Sequence, residues 1–256
     1  MTTPERDAKI AAEADRAAAE GFDAAEFAVA PDPNDPALTA EVTGRDHAGA
    51  AVTLRVVEER PLTIYLNGQE IVTSMTIGDH PEHLAIGYLL NQNMLRADDA
   101  VTAVEHDAEL EVVVVRTARE TNYEEKLKKK IRTSGCAVGT VYGDVMEALA
   151  ETRLPAAPVR ASWLYALARK INTRPSLYLE AGAIHGCVLC QRDRPLVYME
   201  DVGRHNAVDK IAGWMFAQGA QGADKIFYTT GRLTSEMVMK TALMGIPTLA
   251  SRSGFT

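Results

Sequence analysis

The second half of the chain alternates short apolar runs with amphipathic ones. EAGAIHGCVLC, LVYMEDV, HNAVDKIAGWMFA, KIFYTT, TSEMVMKTALM and PTLASRS follow one another between residues 180 and 253. A β-α-β-α order of this kind confines the chain to the α/β class. It predicts a sheet with parallel strands joined by right-handed crossovers. Helices are also predicted near 140–150 and 160–173. The chain stops at SGFT, straight after the last strand, where another helix and strand are expected, so the natural domain is expected to continue.

The first half carries a different signal. AVTLRVVEE, PLTIYLN and EIVTSMTI are alternating β-branched runs, and Asn67-Gly68 between the last two is a hairpin signature. HPEHLAIGYLLNQNML (80–95) has apolar residues at helical spacing, with Asp79 as the expected N-cap. Strands at 100–106 and 109–117 follow, then a basic helix, YEEKLKKKI. Residues 1–30 are rich in alanine and acidic residues, and PDPNDPAL follows with three prolines in six residues. The expected organisation is a poorly ordered extension and linker over 1–50, a small β-rich domain over 51–130 and an α/β domain over 131–256.

A chain of 256 residues buries a core without disulfides, and its 46% hydrophobic and 24% charged residues are ordinary for a globular protein. No apolar run is long enough to span a bilayer, and the N-terminus has no apolar signal core. Three cysteines fit a reducing compartment better than a disulfide framework. These features predict a cytoplasmic protein with no membrane partner. A net charge of −8 argues against wholesale nucleic-acid binding.

In open α/β sheets, sites gather where strand ends enter helix N-termini. Three segments qualify. MEDVGRHNAVDK (199–210) puts Arg204, His205 and Asn206 at the opening of a helix that includes Lys210. YTTGRLTSE (228–236) offers Gly231, Arg232, Thr234 and Ser235 to an anion, and LASRSG (249–254) adds Arg252 and Ser253. No Walker loop or dinucleotide fingerprint is present. Each segment also has a structural reading, in caps and ion pairs, and the convergence of all three at one sheet edge favours function.

Cys136 follows Lys126, Lys128, Lys129, Lys130 and Arg132, and cationic neighbours favour a thiolate; a small buried hydrophobe is the competing reading. Cys187 and Cys190 form C-x-x-C with His185 two residues earlier, which raises a zinc site, a redox or sulfur-relay pair, or core packing. On a strand the two thiols point to opposite faces, so core packing is favoured and no metal site is expected.

With EDVGRHNAVDK, FYTTGRLTSEMV, SGC, GAIH, IGDHPEHLAIGYLLNQ and SRSGFT assembled, the chain from about Glu59 onward resembles the formate dehydrogenase accessory sulfurtransferase family of the FdhD type. The resemblance implies a cytoplasmic homodimer whose larger domain is an α/β/α fold like that of cytidine deaminase. It implies a sulfurtransferase that takes persulfide sulfur from a cysteine desulfurase. The acceptor would be the molybdenum bis-molybdopterin guanine dinucleotide cofactor, bound as substrate and required by the formate dehydrogenase catalytic subunit. Cys136 matches the first cysteine of the family's SGC-x-x-C loop and would carry the sulfur. The second position is Gly139 here, so Cys187 and Cys190 are the candidate accessory thiols. Arg204, His205, Asn206, Lys210, Gly231, Arg232, Ser235, Arg252 and Ser253 are the candidate cofactor ligands, and the family's last C-terminal segment is expected to be missing from this chain. Hydrolytic deamination is not expected, because HGC puts Cys187 where that chemistry needs a glutamate. A non-enzymatic cofactor chaperone is the rival reading.

Overall fold

The computed structural model describes residues 27–119, 130–133 and 139–255. Strands β3 (Arg60–Leu66) and β4 (Gln69–Thr76) form the hairpin that Asn67-Gly68 announces, with Asn67 at φ 55. β5 (Val101–Asp107) and β6 (Val112–Thr117) are antiparallel, and β6 lies parallel to β3, giving the order β4-β3-β6-β5. Leu62, Ile64 and Leu66 alternate onto one face. There they pack with Val113 and Val115 against Leu84 and Leu89 of α1 (Pro81–Asn91). The start of α1 departs from expectation. Pro81 supplies the preset first turn, His80 occupies the cap position at φ 47 without a side-chain cap, and Asp79 bonds Lys210 instead.

Order begins well before residue 51. β1 (Thr39–Arg45) and β2 (Ala51–Val57) form an antiparallel hairpin, its turn held by Asp46 Oδ1, which accepts from the Ala48 and Ala50 N–H groups at 2.9 Å. Further upstream, Ala28 N donates to Leu196 O at 2.8 Å and Tyr198 N to Val29 O at 2.9 Å. Phe27 and Leu38 are buried. The expected linker is therefore structured over 27–50: Phe27 and Leu38 reach the core despite a polar average, while residues 41–50 stay exposed on the β1–β2 hairpin. The expectation for residues 1–26 lies outside the described residues.

The second sheet runs β10-β9-β11-β12, from β9 (His185–Gln191), β10 (Arg194–Asp201), β11 (Ile226–Thr229) and β12 (Thr248–Ser251). The parallel arrangement expected from the alternation holds for β11 and β12 alone. β9 is antiparallel to both its neighbours. The reason is connection length: Arg192-Asp193 is a two-residue turn, with Arg192 at φ 57, and a parallel return needs a crossover of a dozen residues.

In chain order the helices of this half are α2 (Gly143–Glu151), α3 (Ala161–Asn172), α4 (Leu177–Ala181), α5 (Arg204–Gln218) and α6 (Ser235–Leu243), and α5 and α3 cover opposite faces of this sheet. Val208 and Ile211 of α5 pack on Cys187, Leu189 and Phe227; Leu167 and Ile171 of α3 pack on Val188, Cys190 and Tyr228. A last antiparallel pair, β7 (Lys130–Thr133) and β8 (Gly139–Tyr142), precedes α2. Lys130 and Ile131 thus belong to a strand and not to the expected basic helix, whose remaining residues lie outside the described ones. The fold is mixed α/β with several sheets. Among the described residues, no helix is long and apolar enough to cross a membrane.

Candidate functional site

Hairpin register sets the site. His185 pairs with Asp201, Cys187 with Thr229, and Thr229 with Ser251, so the start of β9 and the ends of β10, β11 and β12 share one sheet edge. The three polar segments singled out in the sequence leave from that edge. Two of them interlock. Ser251 Oγ donates to Gly231 O at 2.7 Å, Leu233 N donates to Gly254 O at 3.0 Å, and Ser253 N donates to Ser251 Oγ at 2.8 Å.

Arg204 opens α5 and is 5% exposed, yet its Nε and Nη2 groups have no hydrogen-bond partner. Buried donors left unpaired cost stability, and such a guanidinium in a fold is a site feature that needs a reason. Gly231 is what makes room for it: a Cβ there would stand 3.0 Å from Arg204 Cδ and 3.5 Å from His185 Nδ1. Arg252 reaches Asn172 Oδ1 at 2.9 Å and lies 4.6 Å from the Tyr178 ring centroid. Arg232, Ser235 and Ser253 are exposed. Thr234 sits at the cap position of α6, its Oγ1 buried and without a partner. Burial first, then the charges of Arg204, Arg232 and Arg252, hold the His185 imidazole below its ordinary pKa. The edge is strongly cationic and fits an anion.

Other expected ligands turn inward. Asn206 Nδ2 donates to Met75 O at 2.7 Å and to Asp201 Oδ1 at 2.9 Å, and its Oδ1 accepts from Ser74 at 3.1 Å. Lys210 is fully buried and donates to Asp79, to Asp201 at 2.5 Å and to the Glu200 carbonyl at 3.0 Å. Both are corrected from cofactor ligands to struts that join the two sheets, because every polar group they carry is already used. His205 is also mostly buried, 3.5 Å from Glu236, and burial followed by the Lys240 charge pushes it down to about 3. It is a neutral ring beside the buried Lys240–Asp209 pair, which closes at 2.7 Å.

Cys187 and Cys190 are both fully buried, on opposite faces of β9. Burial pushes the Cys187 thiol up to about 12 and the Cys190 thiol higher still. Burial disfavours a thiolate at either position, and both side chains pack in the core of the sheet. Among the described residues no group of three potential ligands could hold a metal. Cys136 lies outside the described residues, in the five-residue connection between β7 and β8. Sequence spacing joins His185 only to the C-x-x-C; its place at the cationic edge comes from register with Asp201, which spacing does not reveal.

Glu200, just before Asp201, offers a test of this buried edge. Its carboxylate accepts from the Leu177 and Tyr178 N–H groups at 2.8 and 3.2 Å, and burial nevertheless raises its pKa to about 7 from an ordinary 4.5. Between those values the folded state holds more protons than the unfolded one, so stability falls as pH rises from 4.5 through 7. Glu200→Gln is expected to remove most of that decline, about 2–3 kcal/mol, in urea unfolding compared at pH 5 and pH 8. An unchanged slope in the variant would assign the pH dependence elsewhere.

Comparison with known proteins places the whole arrangement in context. The model of the FdhD/NarQ family matches residues 57–256. The "Sulfur carrier protein FdhD" of Bacillus pumilus (strain SAFR-032) is 28% identical over 206 residues, covering 80% of this chain and 79% of that one. The protein of the same name from Bacillus subtilis (strain 168) is 29% identical over 204 residues, with 79% and 78% covered. Among solved structures, a formate dehydrogenase accessory protein from Desulfotalea psychrophila superposes with a TM-score of 0.68 at 27% identity, covering 86% of this chain and 85% of that one.

Proposed function

Because this chain belongs to the FdhD/NarQ family, we propose that it is a sulfur carrier in formate dehydrogenase maturation. It takes persulfide sulfur from a cysteine desulfurase on Cys136 and hands it to the molybdenum bis-molybdopterin guanine dinucleotide cofactor. In the loading step the Cys136 thiolate attacks the terminal sulfur of the desulfurase persulfide. A new S–S bond forms on Cys136, the old one breaks, and the desulfurase cysteine leaves as a thiolate, so no outside oxidant is required. The cofactor is the substrate of the second step. Its phosphates would lie at the cationic edge of Arg204, Gly231, Arg232, Ser235, Arg252 and Ser253. The protein works in the cytoplasm as a homodimer and associates with the formate dehydrogenase catalytic subunit, and its C-terminal sheet with helices on both faces is the part likened to cytidine deaminase.

One observation carries the reading. Of three cysteines in the chain, two are buried with strongly raised pKa values, which leaves Cys136 to supply any thiolate nucleophile. Its neighbours Lys126, Lys128, Lys129, Lys130 and Arg132 supply the positive charge that favours a thiolate.

The test is peptide mass spectrometry after incubation with a cysteine desulfurase and cysteine. One added sulfur atom is expected on Cys136. It is expected to disappear in Cys136→Ala and to persist when Cys187 and Cys190 are both replaced by alanine. Sulfur on Cys187 or Cys190 would move the chemistry to β9. No loading at all, with formate dehydrogenase still activated by Cys136→Ala in a strain lacking its own accessory protein, would leave a cofactor chaperone in its place.

A further inference from the structure

We propose that His185 is a ligand of the anion bound at the cationic edge and that its imidazole gains a proton as the anion arrives, so that binding and protonation are coupled. This rests on the reading of that edge as an anion site. The imidazole and the Arg204 side chain pack on the same residue, Gly231: a Cβ added there would stand 3.5 Å from His185 Nδ1 and 3.0 Å from Arg204 Cδ, the carbon that carries Nε. An anion held by Arg204 Nε and Nη2, which have no other partner, would lie on the side of Gly231 that His185 Nδ1 also packs against. The His185 side chain makes no hydrogen bond among the described residues, so its ring nitrogens remain available to that ligand.

The charges around the ring explain the proton. Arg204 faces it from α5, Arg232 from the loop entering α6, Arg252 from the end of β12, and Asp201 from the end of β10. His205 lies close by on α5 and is itself neutral. Burial and three guanidiniums disfavour imidazolium, and Asp201 opposes them. Asp201 is already committed to Thr76, Lys210, Asn206 and the Gly203 N–H. In the free protein the ring is therefore neutral at pH 7. A dianion offsets much of the guanidinium field, and an opposite charge in contact raises the proton affinity of an imidazole. Coupling is reciprocal: if the anion promotes protonation, protonation promotes the anion.

Inorganic sulfate is the probe of choice, because its charge does not change near neutrality, whereas a phosphate loses its second proton near pH 6 and would confuse the count. Titration calorimetry of the full chain in buffers of different ionisation enthalpy counts protons taken up per anion bound. Wild type is expected to take up a fraction of a proton, rising toward one, and sulfate affinity is expected to fall by up to about tenfold per unit as pH rises. His185→Gln keeps a hydrogen-bonding side chain without a titrating group, and it is expected to bind sulfate with no proton uptake and no such slope. Binding to wild type without proton uptake, or equal uptake by His185→Gln, overturns the coupling and leaves the anion site standing. Failure of both sulfate and pyrophosphate to bind wild type overturns the anion site and the coupling together. Loss of binding in Arg204→Ala with its fold intact identifies the site as the one described.

Discussion

Lys210→Ala is expected to cost about 3–5 kcal/mol of folding stability, because it strands a buried carboxylate. Asp201 is fully buried and its Oδ2 depends on the Lys210 ammonium at 2.5 Å and on the Thr76 hydroxyl at 2.5 Å. The three protons of the ammonium are matched by Asp79, Asp201 and the Glu200 carbonyl. Burial alone would drive the lysine toward its neutral form, and the two carboxylates more than offset it, leaving its pKa above the ordinary value. Without the cation, the Asp201 and Asp79 carboxylates face each other with nothing between them. The compensating variant Lys210→Met with Asp201→Asn is expected to recover much of the loss. Chemical unfolding of both variants beside wild type measures the two quantities. A variant of wild-type stability that has lost cofactor or nucleotide binding would return Lys210 to the binding surface.

This residue also shows how far the sequence can be read. EDVGRHNAVDK marks a strand end, a turn and a helix, and each is present as β10, Val202-Gly203 and α5. Charge places Lys210 among ligands because lysine is almost never fully buried unless paired. Its partner Asp79 is 131 positions away, and nothing local in the sequence joins them. The same holds for Asn206, whose acceptor and donor partners Met75 and Ser74 belong to β4. Local features are legible for a local reason: Asn67-Gly68 turns a hairpin by its own backbone preference, and the three loops meet because strand ends must gather at a sheet edge. Sheet direction is hard to read because Arg192-Asp193 lacks the glycine that normally advertises a tight turn. The cysteines go the other way, since period-two alternation alone separates Cys187 and Cys190 onto opposite faces of a strand, as they stand on β9.

Gly213→Ala is the second large effect expected, and here two opposing terms must be weighed. Alanine is the better helix former by about 1 kcal/mol, so in a solvent-facing turn of α5 the change would stabilise. Gly213 does not face solvent. It meets α1, where an added Cβ would stand 1.9 Å from the His83 carbonyl oxygen, and a Cβ on Gly87 would stand 1.7 Å from the Asp209 carbonyl oxygen. Real contacts of this kind do not fall below 3.0 Å, so the helices would have to separate by about an ångström. That movement does not stop at packing. Asn91 of α1 donates to Asp209 of α5 at 2.7 Å, and Asp209 in turn neutralises the buried Lys240 of α6. Overpacking typically costs about 1–3 kcal/mol, and a loosened buried ion pair adds to it. The net expectation is a loss of about 3 kcal/mol despite the gain in helix propensity. Gly44→Ala serves as the control, because no atom lies within 4 Å of the Cβ it would add. Its urea midpoint is expected to stay close to wild type while that of Gly213→Ala falls. Equal midpoints for the two variants would mean that α1 and α5 tolerate a side chain at their crossing, and that the two sheets are held together by the Lys210 and Asn206 struts without close helix contact.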